Sequence, residues 1–271
     1  MRFSIVDVFA ESAFAGNQLA VVRNAAALDT AAMQSIALET NYSETTFVTA
    51  ESTDRASVRI FTPNQELPFA GHPTLGTAWL IANGNGSITL ELGIGDVRVW
   101  FERDIAWMRP PPMMTLGAIE PSEAAARIGL GVDDLDTDLG PVRLQCGPEF
   151  SLIGVRDLDT LRRARAPAPP QGGGMGNAPF VVCRGGYHAD STFAARMFFF
   201  DGASMREDPA TGSANAAFAQ YLAERGVRGS LRIDQGHEIG RPSRIYFEIA
   251  QDVAVGGKVQ LVADGRFVQT P

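Results

Sequence analysis

Three titratable side chains, Glu44, His72 and Asp208, stand where the chain passes from one kind of element to another, and together they suit the movement of a proton between carbon atoms. Glu44, in Asn41-Tyr42-Ser43-Glu44-Thr45-Thr46-Phe47-Val48, leaves a helix and enters an apolar strand. Burial there would raise its carboxyl group toward the range of a general acid/base; at an exposed junction the same residue is an ordinary solvated charge. Asp208 precedes a proline and a helix start, which gives it a local role as a cap or Asx-turn residue beside any role in proton transfer. His72 is one of three histidines, and neither His188 nor His237 has a ligand-like spacing to it, so the pattern predicts no metal site. No GxGxxG or P-loop pattern offers a nucleotide site, and this acid/base set needs no organic cofactor.

Two helix starts supply the complementary charge. Gly71-His72-Pro73 and Gly212-Ser213 each open a helix, and backbone N–H groups at such starts carry partial positive charge suited to a carboxylate or a developing enolate. Each glycine also serves as an ordinary loop-to-helix turn, and Ser213, read as an N-cap, needs no ligand.

The elements that position these groups are short. Phe3–Phe9 and Gln18–Val22 read as strands; Asp29 caps a helix reaching about Glu39; strands follow near Thr46–Thr49 and Ser57–Phe61. The helix from Gly71 to Asn83-Gly84 carries Leu75, Ala78, Trp79, Leu80, Ile81 and Ala82 on nearly every face, which predicts burial inside a curled sheet. Strands resume over Ser87–Met108 and stop at Arg109-Pro110-Pro111-Pro112. Beyond lie a short helix over Pro121–Gly129 capped by Ser122, strands at Val142–Gln145 and Phe150–Val155, a polar helix at Leu158–Ala164 and a Pro/Gly loop at Ala166–Gly176. Strands Phe180–Arg184 and Ala195–Phe200 lead to the second apolar helix, and the chain closes with strands.

The apolar helices are related. Adding 141 to Glu66, Pro68, Gly71, Ala78 and Ala82 gives Glu207, Pro209, Gly212, Ala219 and Ala223, and His72 falls on Ser213. A unit used twice predicts an α+β chain of two like-built domains, 1–112 and 113–271, each a mostly antiparallel barrel-like sheet around a central helix, with a ligand cleft between them. The last strand is allowed to return to the first domain.

Composition narrows the partners. The 271 residues hold 23 Lys+Arg against 31 Asp+Glu, a formal charge of −8, which disfavours nucleic acid or an anionic membrane and favours a small ligand. Cys146 and Cys183 lack metal or disulfide spacing and read as buried thiols. The start of the chain reads as lacking a signal segment and no stretch reads as a membrane span, so the expected location is the cytoplasm.

Five stretches are similar to those of the PhzF-like proteins of the diaminopimelate epimerase-like fold: Val6-Asp7-Val8-Phe9 with Gly16-Asn17, Asn41–Thr45, Phe69–Gly76, Arg206–Ala214 and Gln235–Ser243. They run in family order over almost the whole chain. The resemblance implies two barrel-like domains around central helices and a homodimer. It places Glu44 and Asp208 where epimerases of this fold carry their paired cysteines. It implies isomerisation of a compound such as trans-2,3-dihydro-3-hydroxyanthranilate, with Glu44 taking a proton from C3 and returning one to C1. His72 and Asp208 would assist, and Ser43, Ser213 and the Gly71 and Gly212 amides would hold a carboxylate-bearing substrate. Arg241, on a turn-rich connection, is a further candidate that could pair with Asp208 or a ligand carboxylate.

The leading expectation is a cofactor-independent isomerase of a small cyclic or unsaturated amino or hydroxy acid. A racemase or epimerase using two carboxylates and a non-catalytic metabolite-binding protein are the alternatives.

Overall fold

The structure, a computed structural model, describes residues 1–169 and 178–269. The loop expected over Ala166–Gly176 therefore lies outside the described residues from position 170 onward. The chain divides into two units, Met1–Arg109 with Gly256–Pro271, and Pro110–Val255. The break falls at the start of the proline run, where ladder donors are missing. The second unit ends at Val255 rather than at the C-terminus, because the terminal strand pairs with the first.

In the first unit, β1 (Arg2–Val8) and β2 (Asn17–Arg23) form an antiparallel pair with Val6 opposite Leu19. The helix α1 (Thr30–Thr40) then carries the chain to β3 (Glu44–Glu51), parallel to β2. Asp29 begins α1 as expected, its carboxylate accepting from the Ala32 N–H at 2.8 Å, and Asn41 ends it in the left-handed conformation at φ 53°. Next come β4 (Arg55–Phe61), antiparallel to β3, and the short β5 (Glu66–Leu67). After α2 (Gly71–Ala82), β6 (Ser87–Leu92) runs parallel to β4, and β7 (Gly95–Glu102) and β8 (Ile105–Met108) continue antiparallel.

In the second unit, β9 (Met114–Ala118), α3 (Pro121–Arg127), β10 (Val142–Gln145) and β11 (Glu149–Val155) precede α4 (Leu158–Arg163). They are followed by β12 (Ala178–Arg184), β13 (Phe193–Phe200), β14 (Met205–Asp208), α5 (Gly212–Glu224), β15 (Gly229–Gln235) and β16 (Ser243–Ile249). β17 (Val253–Gly257) and β18 (Val259–Arg266) complete the chain, and β18 pairs antiparallel with β1. Ser122 is not a cap: Glu120 holds that position and Pro121 opens α3, since proline's missing N–H costs nothing at a first turn.

The pairing order repeats. In each unit an antiparallel hairpin (β1–β2, β10–β11) is followed by a parallel pair spanning a helix (β2–β3, β11–β12), an antiparallel pair (β3–β4, β12–β13) and a second parallel pair (β4–β6, β13–β15). The second crossover is the apolar helix, α2 or α5. The mixed sheets and few helices make the chain α+β.

Burial on all sides explains why these helices lack a polar face. α2 packs against β1, β2, β3, β6, β7, β8 and β18, and is buried from Gly71 to Ala78. On α5, Phe218 meets Phe180 of β12, Phe193 of β13 and Phe247 of β16 edge to face. Gly76 lets α2 lie close to the β1–β2 hairpin, for a Cβ there would come within 2.7 Å of Val8 Cγ2 and 2.8 Å of Leu19 Cδ2. Gly76→Ala therefore overpacks the core despite the better helix propensity of alanine, and a loss of about 1–3 kcal/mol is expected. Urea unfolding checks this: the midpoint falls at unchanged slope, whereas an unchanged midpoint would show that the contact yields freely. Among the described residues, no helix is long and apolar enough to cross a membrane.

Candidate active site

Glu44 is the first residue of β3, opposite Leu19, and His72 is the second residue of α2. The β2–α1–β3 crossover and the central helix thus bring the two side chains together inside the first unit. Glu44 Oε2 lies 3.5 Å from His72 Nε2, with side-chain exposures of 16% and 5%. Burial pushes the His72 pKa down to about 3, against the opposing effect of a hydrogen bond with the Gln18 backbone. Nε2 has no hydrogen-bond partner among the described residues, so the Gln18 contact belongs to Nδ1. The ring is neutral at pH 7, with its proton on Nδ1 and the Nε2 lone pair turned toward Glu44. A protonated Glu44 can donate to that lone pair, and beside a neutral ring a deprotonated Glu44 can serve as a base.

Both central helices begin without a side-chain cap. Ala70, at the N-cap of α2, has no side-chain acceptor, and Thr211, at the N-cap of α5, makes no capping bond. Gly71, His72, Gly212 and Ser213 are all buried. Ser213 is thus the second residue of α5 and not its cap. The Thr211 hydroxyl is drawn away, donating to Asp208 Oδ2 at 2.5 Å. Uncapped N–H groups at a buried helix start suit an incoming anion.

Asp208 ends β14, opposite Met197, and is 9% exposed. Gln235 Nε2 donates to its backbone carbonyl at 2.9 Å. Gly236, at φ 76°, carries the next connection over the Asp208-Pro209 turn: a Cβ there would lie 2.4 Å from the Arg241 carbonyl oxygen and 2.6 Å from that of Pro209. Arg241 is half-buried and its N–H donates to the Gly236 carbonyl at 3.0 Å. Ser43 is half-buried in the bend before Glu44.

The acids are not placed symmetrically. Ala178 holds in the second unit the position Glu44 holds in the first, each opening the strand parallel to its predecessor (Leu19 opposite Glu44, Phe150 opposite Ala178). At the 141-residue offset Asp208 corresponds to Leu67. The two cysteines lie elsewhere, fully buried and unpaired, and burial raises their pKa values to about 11 for Cys146 and about 12 for Cys183. Such thiols are poor sources of thiolate at neutral pH.

His188 and His237, which have no ligand-like spacing to His72, approach one another in the second unit. Candidate ligand atoms of His188, Asp234 and His237 lie within 4.8 Å of one another. Asp234 Oδ2, however, accepts from the Tyr187 and His188 amides at 2.8 and 3.2 Å and from Ser191 Oγ at 2.5 Å, while Arg244 Nε faces Oδ1 at 3.5 Å. A guanidinium already supplies the positive charge, and the cluster braces the turn before β13.

The family model for phenazine biosynthesis-like proteins (PhzC-PhzF) matches residues 6–265, a span that includes every site residue named above. The chain belongs to this phenazine biosynthesis-like family. It is 34% identical to the trans-2,3-dihydro-3-hydroxyanthranilate isomerase of Pseudomonas fluorescens over 90% of this chain and 89% of that one. It is 36% identical to an uncharacterised isomerase of Mesorhizobium japonicum over 98% of each. The crystal structure of a PhzF-family phenazine biosynthesis protein from Bacillus anthracis superposes with a TM-score of 0.85 at 24% identity, covering 99% of both chains, and shares its fold.

Proposed function

We propose that this phenazine biosynthesis-like protein is an isomerase that moves a proton between carbons of a small cyclic or unsaturated amino or hydroxy acid, with Glu44 as the acid/base. The observation that carries the reading is Glu44 Oε2 at 3.5 Å from a buried, neutral His72. Glu44 takes the proton as a C–H bond breaks, and the electron pair enters the conjugated system that ends in the substrate carboxylate. The uncapped N–H groups at a central helix start stabilise the charge that develops there. Glu44 then returns the proton to another carbon, so atoms and electrons balance with no external oxidant or reductant. While it holds the proton, His72 Nε2 accepts a hydrogen bond from it and orients the carboxyl group; the acid proton exchanges with solvent before it is returned. Asp208, Ser213, Ser43 and Arg241 are assigned to substrate binding and proton movement on their motif positions. The 34% identity to a named trans-2,3-dihydro-3-hydroxyanthranilate isomerase supports that compound as the first substrate to test.

The test is proton NMR of that compound in D₂O with the purified protein. Loss of the C3 signal with deuterium entering at C1 is the expected result. Deuterium at the α-carbon of an amino acid with loss of optical rotation would instead support a racemase, and tight binding without any exchange would overturn catalysis.

A further inference from the structure

Asp208 is held by a chain of buried polar groups that the sequence reading did not use. Its Oδ2 accepts from Thr211 Oγ1 at 2.5 Å, and Gln235 Nε2 lies 3.2 Å from that same hydroxyl oxygen. Because an amide N–H can only donate, it occupies a lone pair of Thr211 Oγ1 and leaves the hydroxyl proton directed at Asp208. The orientation of the Gln235 amide is fixed from its other end: Oε1 accepts from Asn215 Nδ2 at 2.8 Å and from the Thr211 N–H at 3.3 Å. Asn215 in turn donates to the Thr211 carbonyl at 3.0 Å. Asn215 and Gln235 are fully buried. The side-chain donors from Asn215 to Gln235 to Thr211 run in one direction and end on the Asp208 carboxylate.

We infer that Thr211 is a positioning residue for Asp208, and that Asn215 and Gln235 set the direction of its hydroxyl so that Asp208 is presented as a carboxylate in one fixed rotamer. The arrangement also accounts for the missing cap on α5, since the N-cap hydroxyl that would serve the helix is committed to the acid. This inference deepens the proposed function, resting on Asp208 as a group that assists proton transfer.

The experiment combines a titration with kinetics on the full chain. In protein labelled with carbon-13 at the aspartate carboxyl groups, the Asp208 resonance is assigned by its absence from Asp208→Asn. Thr211→Val keeps the shape and removes the donor; the Asp208 midpoint is expected to rise by about one pH unit, and Thr211→Ser to restore it. With trans-2,3-dihydro-3-hydroxyanthranilate as the probe, kcat for Thr211→Val falls about 10- to 100-fold while KM changes little, and Thr211→Ser recovers it. An unchanged midpoint in Thr211→Val overturns the inference, as does a loss in Thr211→Ser as large as or larger than that in Thr211→Val, which would show that the hydroxyl is not what the position supplies. The titration reads the relay whether or not the probe turns over, so a fully active Asp208→Asn would sink the role of Asp208 and leave the relay result standing.

Discussion

Glu44→Gln leaves the protein folded and lowers turnover by about 10³- to 10⁴-fold, the scale of a lost general acid/base. The amide has the shape of the carboxyl group and can still face His72 Nε2, now as a permanent donor, so substrate affinity holds within a few-fold. It cannot accept a proton from carbon. The loss therefore falls on kcat, and deuterium exchange from D₂O at the substrate carbon stops with it. Glu44→Asp keeps the chemistry but draws the carboxylate back by one methylene, a displacement on the order of 1 Å that costs roughly 10²-fold in a positioned proton transfer. The measurement is turnover and isotope exchange for the three proteins side by side. A glutamine variant that exchanged deuterium at the wild-type rate would remove Glu44 from the reaction.

His72 gives the second large effect, here on stability. Its pKa is about 3 in the folded protein against 6.5 for an unperturbed histidine. Between those values the unfolded chain binds a proton that the folded protein does not, so stability rises with pH across the window, is complete above pH 6.5 and declines as the pH falls toward 3. The slope is about 1.4 kcal/mol per pH unit for one proton. Other groups also respond to acid, Asp134 and Asp201 among them, whose pKa values are lowered chiefly by hydrogen bonds from Arg163 and from the Ser204 backbone. They are common to wild type and His72→Gln. Urea unfolding of both proteins from pH 7 to pH 4 isolates the histidine: the wild-type curve is steeper by one proton, and parallel curves would show that the ring is not held neutral by the fold.

Much of this was legible in the chain because local rules and tertiary needs agreed. Asp29 opens α1 as capping chemistry requires, and the absence of a polar face on Leu75–Ala82 announced a helix enclosed by strands. Where they disagreed, the sequence misled. Ser213 has the composition of a cap, but Thr211 begins the helix because its backbone turns there and its hydroxyl serves Asp208. Ser122 lost its place to Glu120 in the same way. The approach of His188 to His237 was hidden because 49 positions separate them, and only the parallel pairing of β13 with β15 closes that distance. Gln235 and Asn215 gave no signal of their role, since a buried amide reveals itself only through its partners. Glu44 beside His72 was inferable as chemistry from residue types, while the neutral state of the ring is a product of burial that no spacing contains.

The return of the last strand to the first has a consequence for how the protein is made. Ser4 Oγ donates to Asp264 Oδ1 at 2.6 Å, a bond spanning 260 positions. During synthesis from the N-terminus, β1 emerges first and waits with one ladder edge unpaired until the ribosome has passed Arg266. The unit that holds Glu44 and His72 is therefore closed last, although most of its residues are translated before the second unit, and the second unit, continuous from Pro110 to Val255, has all its strands in hand before that closure. Closing the first unit is thus the work of a segment separated from the rest of that unit by the whole of the second.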